Sequence, residues 1–265
     1  MKKLMISCMA LLSTLGVSAQ GAGIAEHFGV GVGIGTTGVT IDASTMITDY
    51  VGVRVGADIF PSFKLNTELD LDFSDISENA FVTNKYGQLP KNIEVQGKTS
   101  LGAGHLLVDL HPFPLKSSFR VTVGAYIGSG DIVSVYNKED GLLSAITRFN
   151  NDVDNNLLPN NVEKIGVELG DYFLAPDEKG NVKASIRVNS FRPYLGIGFG
   201  RAVPRNRIGC QFDLGVQFWG SPAIYTQDHK LTEQDLNGDD GGMIKILSKV
   251  SVYPALTLRL VGRIL

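Results

Sequence analysis

The chain is short of several things. It has 265 residues and only two cysteines, Cys8 and Cys210. Cys8 lies in the apolar part of a secretory signal, so only Cys210 is expected in the mature protein. A lone thiol excludes an intrachain disulfide framework and a thiolate metal cluster. There is no basic excess either. The formal charge is −3, which argues against a nucleic-acid partner, since such a partner demands a basic face. After the signal, no apolar run approaches the roughly 20 residues of a membrane-spanning helix. Mean hydropathy is +0.09, a value shared by soluble proteins and membrane barrels, so periodicity has to decide between them.

The first residues set the compartment. Lys2 and Lys3 form a basic head, Leu4 to Val17 is largely apolar, and Val17-Ser18-Ala19 supplies small residues for a signal peptidase. Cleavage is expected after Ala19, giving a signal peptide over 1–19 and a single barrel domain over 20–265. No small-residue lipobox accompanies Cys8, so no lipid anchor is expected.

What the sequence does have is alternation. In Phe28 to Gly35 the residues Phe28, Val30, Val32 and Ile34 interleave with glycines. The same two-residue period runs through Val39–Ile47, Val51–Ile59, Phe119–Ile127, Phe191–Phe199, Ile208–Phe218 and Leu256–Ile264, and less regularly through Lys98–Pro112. A period of two marks a strand with two different faces. One face is apolar and uncharged over about ten residues, the length of a tilted membrane-crossing strand. The other carries glycine, tyrosine and charge.

Alternation does not say which face is outside, because a soluble sandwich carries the same pattern with its apolar face inward. Three features favour an apolar exterior. Arg54, Asp58, Asp109, Arg120, Arg192, Asp213, Arg259 and Arg263 share the polar face. Tyr50, Phe60, Phe113, Phe119, Tyr225 and Tyr253 sit near strand ends, where a membrane girdle lies. Connections alternate between short (Thr48-Asp49, Pro114–Ser117, Pro204–Arg207) and long (74–96, 138–185, 227–249), as periplasmic turns and external loops do; Thr36–Gly38 is an unusually short external one. The expected fold is all-β: a closed antiparallel transmembrane β-barrel of eight strands. Ten is the alternative, if Ile165–Leu174 and Val182–Val188 add a hairpin. Such a barrel is filled by its own side chains, and the glycine face of the first strand leaves room for a large residue opposite or for a small cavity.

Several blocks resemble a family of Gram-negative outer-membrane β-barrels of uncharacterised function: Val108-Asp109-Leu110-His111-Pro112-Phe113 with Phe119-Arg120, Arg192 to Gly200, Asp213-Leu214-Gly215-Val216 with Gly220-Ser221-Pro222, Tyr253-Pro254, and the hairpin Gly33–Gly38. The resemblance implies the fold and an outer-membrane location and brings no catalytic residues; the partners expected are membrane lipid, lipopolysaccharide and the barrel assembly machinery. Such barrels commonly end in an aromatic residue; this sequence ends Arg263-Ile264-Leu265.

Candidate chemistry is sparse. Asp228-His229 with Asp239-Asp240 is reminiscent of omptin proteases, but a catalytic cleft draws its groups from opposite walls and these share one loop. His105 and His111 lack the His-x-Ser arrangement of a lipid deacylase, and read as lumen or interface packing. Asp235 to Asp239 begins like a calcium loop, yet Asp240 replaces the required glycine and Ile246 the bidentate carboxylate. Asn150 to Asn161 reads as flexible loop. Gly196, Gly198 and Gly200 lie inside a strand with no following helix, so they are not a phosphate loop. No cofactor, metal or catalytic site is therefore expected. The most interpretable constellation is a lumen charge network of Arg54, Asp58, Asp109, Arg120, Arg192, Asp213 and Arg259. The expected function is a monomeric, non-enzymatic outer-membrane protein with a structural or loop-mediated surface role. A narrow channel or small-ligand barrel is the alternative, and a lipid-modifying or omptin-like enzyme the third reading.

Overall fold

The computed structural model describes residues 28–71, 80–87, 89–90, 92–159, 162–169, 172–226, 229–231 and 249–264. The signal segment, Asp228, Asp239-Asp240 and the loop 235–246 lie outside the described residues. Among those described, no helix is long and apolar enough to cross a membrane.

Eight strands close into an antiparallel barrel: β1 (Phe28–Gly35), β2 (Gly38–Met46), β3 (Val51–Ile59), β6 (Ala103–Leu110), β7 (Phe119–Gly128), β12 (Phe191–Phe199), β13 (Ile208–Phe218) and β16 (Val252–Arg263). Each strand pairs with its sequence neighbour in the barrel, and β1 closes the wall against β16. Register is pinned because a one-residue slip would exchange the two faces of a strand. The eight alternating segments of the sequence are these eight strands. Leu107, out of phase with the apolar residues around it, points into the barrel and is buried.

The long connections are not open loops. β4 (Lys64–Asp70), β5 (Asn92–Thr99), β8 (Asp131–Asn137), β11 (Lys183–Arg187), β14 (Ala223–Thr226) and β15 (His229–Lys230) form a second, six-stranded sheet in the order β15-β14-β11-β8-β5-β4. It grows directly out of one end of the barrel. The ladder between β6 and β7 passes through Ser100 N–H donating to Ile132 O and continues as β5 on β8. Val188 N–H to Gly130 O makes the same junction between β7–β12 and β8–β11.

Two helices, α1 (Ala80–Tyr86) and α2 (Ser144–Asp154), join a core with this sheet. Leu143, Ile146 and Phe149 pack with Tyr86, Ile93, Val95, Ile165, Val182 and Ile224, all nearly inaccessible to solvent. The ring of Tyr86 meets Phe149 edge-on at 5.4 Å. We refer to the sheet and helices together as the cap.

Three expectations are corrected here. The added hairpin does not join the barrel. Among the described residues β9 (Val167–Leu169) pairs only with β10 (Tyr172–Leu174), while β11 sits between β8 and β14 in the cap. Asn150 to Asn161 is not simply a flexible loop: its first residues finish α2, and the buried Asn150 amide accepts from Ile165 N–H (2.8 Å) and donates to Ile165 O (2.7 Å). That amide satisfies backbone groups which no ladder reaches, at a buried position where leaving them unpaired is costly. Tyr225 lies in the cap sheet under the Arg187 guanidinium (4.4 Å), not in a girdle.

Candidate functional site

The barrel is inverted relative to a water-soluble protein. Ile197, Leu258 and Leu214 point outward and are 46%, 48% and 45% exposed. The residues alternating with them, Gly198, Arg259 and Asp213, face the interior. Val32, Ile41, Val55, Leu106, Val123 and Phe212 carry the apolar exterior round the wall. Tyr50 and Phe113 are exposed at the end carrying the short turns. Cys210 is a free thiol on the outer face.

The interior is filled by charge. Three arginines meet three aspartates contributed by six strands. Arg54 grips Asp109 with two nitrogens, at 2.6 and 2.8 Å, and reaches Asp213 at 3.2 Å. Arg120 donates to Asp213 at 2.6 Å and lies 3.5 Å from Asp109. Arg259 pairs with Asp42, donates to Gln211 Oε1, and lies 3.8 Å from Asp213. Thr122 donates to Asp109 at 2.7 Å. All six charged side chains are almost wholly inaccessible. Burying an ion costs several kcal/mol unless partners compensate it; here three positive and three negative groups sum to zero and share hydrogen bonds.

Glycine makes the room. The register puts Gly198 beside both Arg120 and Asp213, Gly33 beside Arg259, Gly31 and Gly56 on either side of Asp42, and Gly52 beside Asp109. A Cβ at Gly31 would stand 2.8 Å from Asp42 Oδ1. Large and small inner residues thus alternate round the wall, as narrow barrels require. The space left by the glycine face of β1 is taken by a large residue from the neighbouring strand.

Above this layer, toward the cap, Tyr126 stacks edge-on with Tyr194 (5.4 Å) and tilts against His105 (5.3 Å). Below it, the β12–β13 turn folds up under the barrel. Gly200 takes φ +100°, a backbone conformation glycine adopts without strain. Ala202 and Val203 are then buried, with Ala202 O accepting from Ser44 Oγ at 2.7 Å.

The seven residues singled out from sequence therefore divide. Arg54, Asp109, Arg120, Asp213 and Arg259 meet in one cluster. Asp58 faces the lumen but accepts from Thr40 Oγ1 (2.5 Å) and lies 3.7 Å from His105, outside the arginine cluster. Arg192 sits at the cap end and donates to the backbone carbonyls of Asn189 and Ser129. Arg263 is exposed at the opposite rim. Asp42, Gln211 and Thr122 complete the cluster and escape the sequence reading. Their parity in β2, β13 and β7 is visible there, but which inner residues share a height is not.

Of the histidines, His105 and His111 are buried, and neither ring nitrogen of either has a hydrogen-bond partner among the described residues. No serine hydroxyl among the described residues engages them. His229 is exposed on β15.

A closed eight-stranded barrel with an apolar exterior, a neutralised charge cluster inside and a folded cap at one end defines the class: a β-barrel with its greasy side outward. No family model and no curated protein matches the chain. Among solved structures it is similar to Acinetobacter baumannii CarO2, at 15% identity and a TM-score of 0.45, over 89% of this chain and 98% of that one. Acinetobacter baumannii CarO is similar at 15% identity and 0.43, over 88% and 96%. A major outer membrane protein from Thermus thermophilus is similar at 14% and 0.34, over 89% and 98%.

Proposed function

We propose that this chain is a monomeric integral protein of a Gram-negative outer membrane, surrounded by lipid and lipopolysaccharide. Its sealed barrel anchors the folded cap at the cell surface, and it carries out no catalysis. The exposed apolar wall supports the membrane reading, since only lipid tails match a continuous apolar surface round a closed barrel. The short-turn end then faces the periplasm and the cap faces outward.

The observation that carries the sealed reading is the lumen. The cavity among Thr40, Arg54, His105, Tyr126, Asp213 and Arg259 has a volume of only about 10 Å³. That is at the lower limit for a single water molecule. Ions would have to pass through side chains that neutralise one another's charge, with the buried Ala202 turn beneath.

Planar-bilayer recording tests this. The wild-type protein is expected to give no resolved ion steps. Steps that Asp109→Ala or Arg120→Ala abolishes would overturn the sealed barrel in favour of a narrow charged channel.

A further inference from the structure

At the short-turn end, between the β6–β7 and β12–β13 turns, lies a cavity of about 360 Å³ that plays no part in sealing the lumen. Lys116 stands on one lip, Arg201 and Arg205 on the other, and no carboxylate among the described residues lines it. Both guanidiniums donate to the same neutral acceptor, Pro114 O, at 3.3 Å each. Two cations thus converge on one carbonyl. Among the described residues, none of the three basic side chains forms an ion pair. Burial and the positive charge of Arg205 both hold the Arg201 pKa below its ordinary value, with Asp49 offsetting part of this. Most of the donors on these groups remain available to an anion.

The cavity also has a greasy side. Ile208 and Cys210 line its mouth and are exposed on the outer wall. Close by, Phe119 meets Phe199 edge-on at 5.6 Å, and Phe199 lies opposite Phe212 in the register. A fork of guanidinium donors suits a phosphoryl group, and an adjoining apolar wall suits a hydrocarbon chain. The volume lies within the usual range for small-molecule sites.

We propose that this cavity seats the phosphodiester headgroup of an anionic phospholipid from the periplasmic leaflet, with an acyl chain lying along the Phe119–Phe199–Phe212 stripe. The proposal rests on the membrane reading above, which places these turns at that leaflet.

Native mass spectrometry of the delipidated, detergent-solubilised protein tests it, with phosphatidylglycerol, phosphatidylcholine of equal chain length and inorganic phosphate as probes. The wild type is expected to retain one phosphatidylglycerol at concentrations where phosphatidylcholine is lost. The R201A/R205A double variant should retain it at least tenfold more weakly. R205Q, at an exposed side chain, should weaken it severalfold and covers the case in which the double variant fails to fold. Equal retention of the two lipids, or retention unchanged in the variants, would overturn the proposal. Displacement of phosphatidylglycerol by equimolar inorganic phosphate would overturn the lipid assignment and leave a free-phosphate site. Failure of the membrane reading would show separately, as a chain that stays soluble without detergent and lacks a heat-shifted folded band.

Discussion

The barrel and the cap are separate sheets joined by short hydrogen-bonded junctions, yet they put their charge on opposite sides. In the barrel Leu214 is exposed and Asp213 buried; in the cap Phe149 and Ile146 are buried, while Lys138 and Glu94 pair at 2.6 Å in solvent. The junction between the two regimes is short. The β6–β7 ladder runs into the β5–β8 ladder within a few residues of Ala103, and a layer of Ile132, Val188 and Trp219 with Tyr253 marks the crossing. Hydrogen-bonded sheet is indifferent to what surrounds it. The side chains differ: apolar residues face outward on the barrel and inward in the cap.

The largest expected effect is in the barrel core. Asp213→Ala removes a carboxylate shared by Arg54 and Arg120 and approached by Arg259, leaving buried positive charge uncompensated. A loss of about 3–5 kcal/mol is expected, read as a lowered urea midpoint in detergent or lipid. Among the described residues the cap has no equivalent ion cluster, so an unchanged midpoint would erase the contrast.

Next comes a matched pair of surface changes. Leu214→Arg, on the barrel wall, should cost about 2–4 kcal/mol because the charge meets lipid. Leu157→Arg, at a leucine that is 65% exposed in the cap, should fall within about 0.5 kcal/mol of wild type. Equal effects at the two sites, in refolding into vesicles, would mean that both regions see the same solvent.

A smaller effect is expected at Asn150→Ala, which strands the Ile165 N–H and C=O in the cap core at a cost of about 1–3 kcal/mol. Limited proteolysis should then cut the cap while the barrel keeps its heat-shifted band. Simultaneous loss of both would show that they unfold as one unit.

The smallest effect is a pH dependence confined to the cap. Hydrogen bonds from Lys85 and then from Tyr86 Oη (2.6 Å) hold the Asp152 carboxyl below its ordinary range. A depressed carboxylate contributes stability that is fully present above the unfolded value of about 4 and is lost as pH falls through the folded value. Protection of the α2 amides, measured relative to their intrinsic exchange rate at each pH, should therefore fall on acidification below pH about 4. Asp152→Asn should flatten that response. An acid response persisting unchanged in the variant would assign it elsewhere.

The legibility of the fold varies for a physical reason. β12 alternates without a break from Phe191 to Phe199, so its faces are readable residue by residue. β6 is harder because Leu106, Leu107 and Val108 run together, and only Asp109 betrays the phase. Most of the cap reads as loops because its strands are short and their partners lie far apart in the chain; β11 shows only within Val182–Val188, where it reads as half of an added barrel hairpin. α2 carries Asn150 and Asn151 within a stretch whose Asn and Asp content suggests turns. Tertiary burial of Ile146 and Phe149 overrides that weak local preference. For the charge cluster, parity places Arg54, Asp109, Arg120, Asp213 and Arg259 on one face, and by the same rule Asp42. It also places Asp58 and Arg192 there, though they sit at other heights.

What this sequence determined by itself is therefore local: where each barrel strand runs and which residues share its face, because the two-residue period of an extended chain is a property of adjacent peptide units. What only the tertiary structure decided is how strands distant in sequence align. Closure of β1 on β16 brings Arg259 to Asp42, the register of β3 on β6 leaves Asp58 with His105, and pairing among β5, β8, β11 and β14 raises a packed cap from connections that look shapeless one at a time.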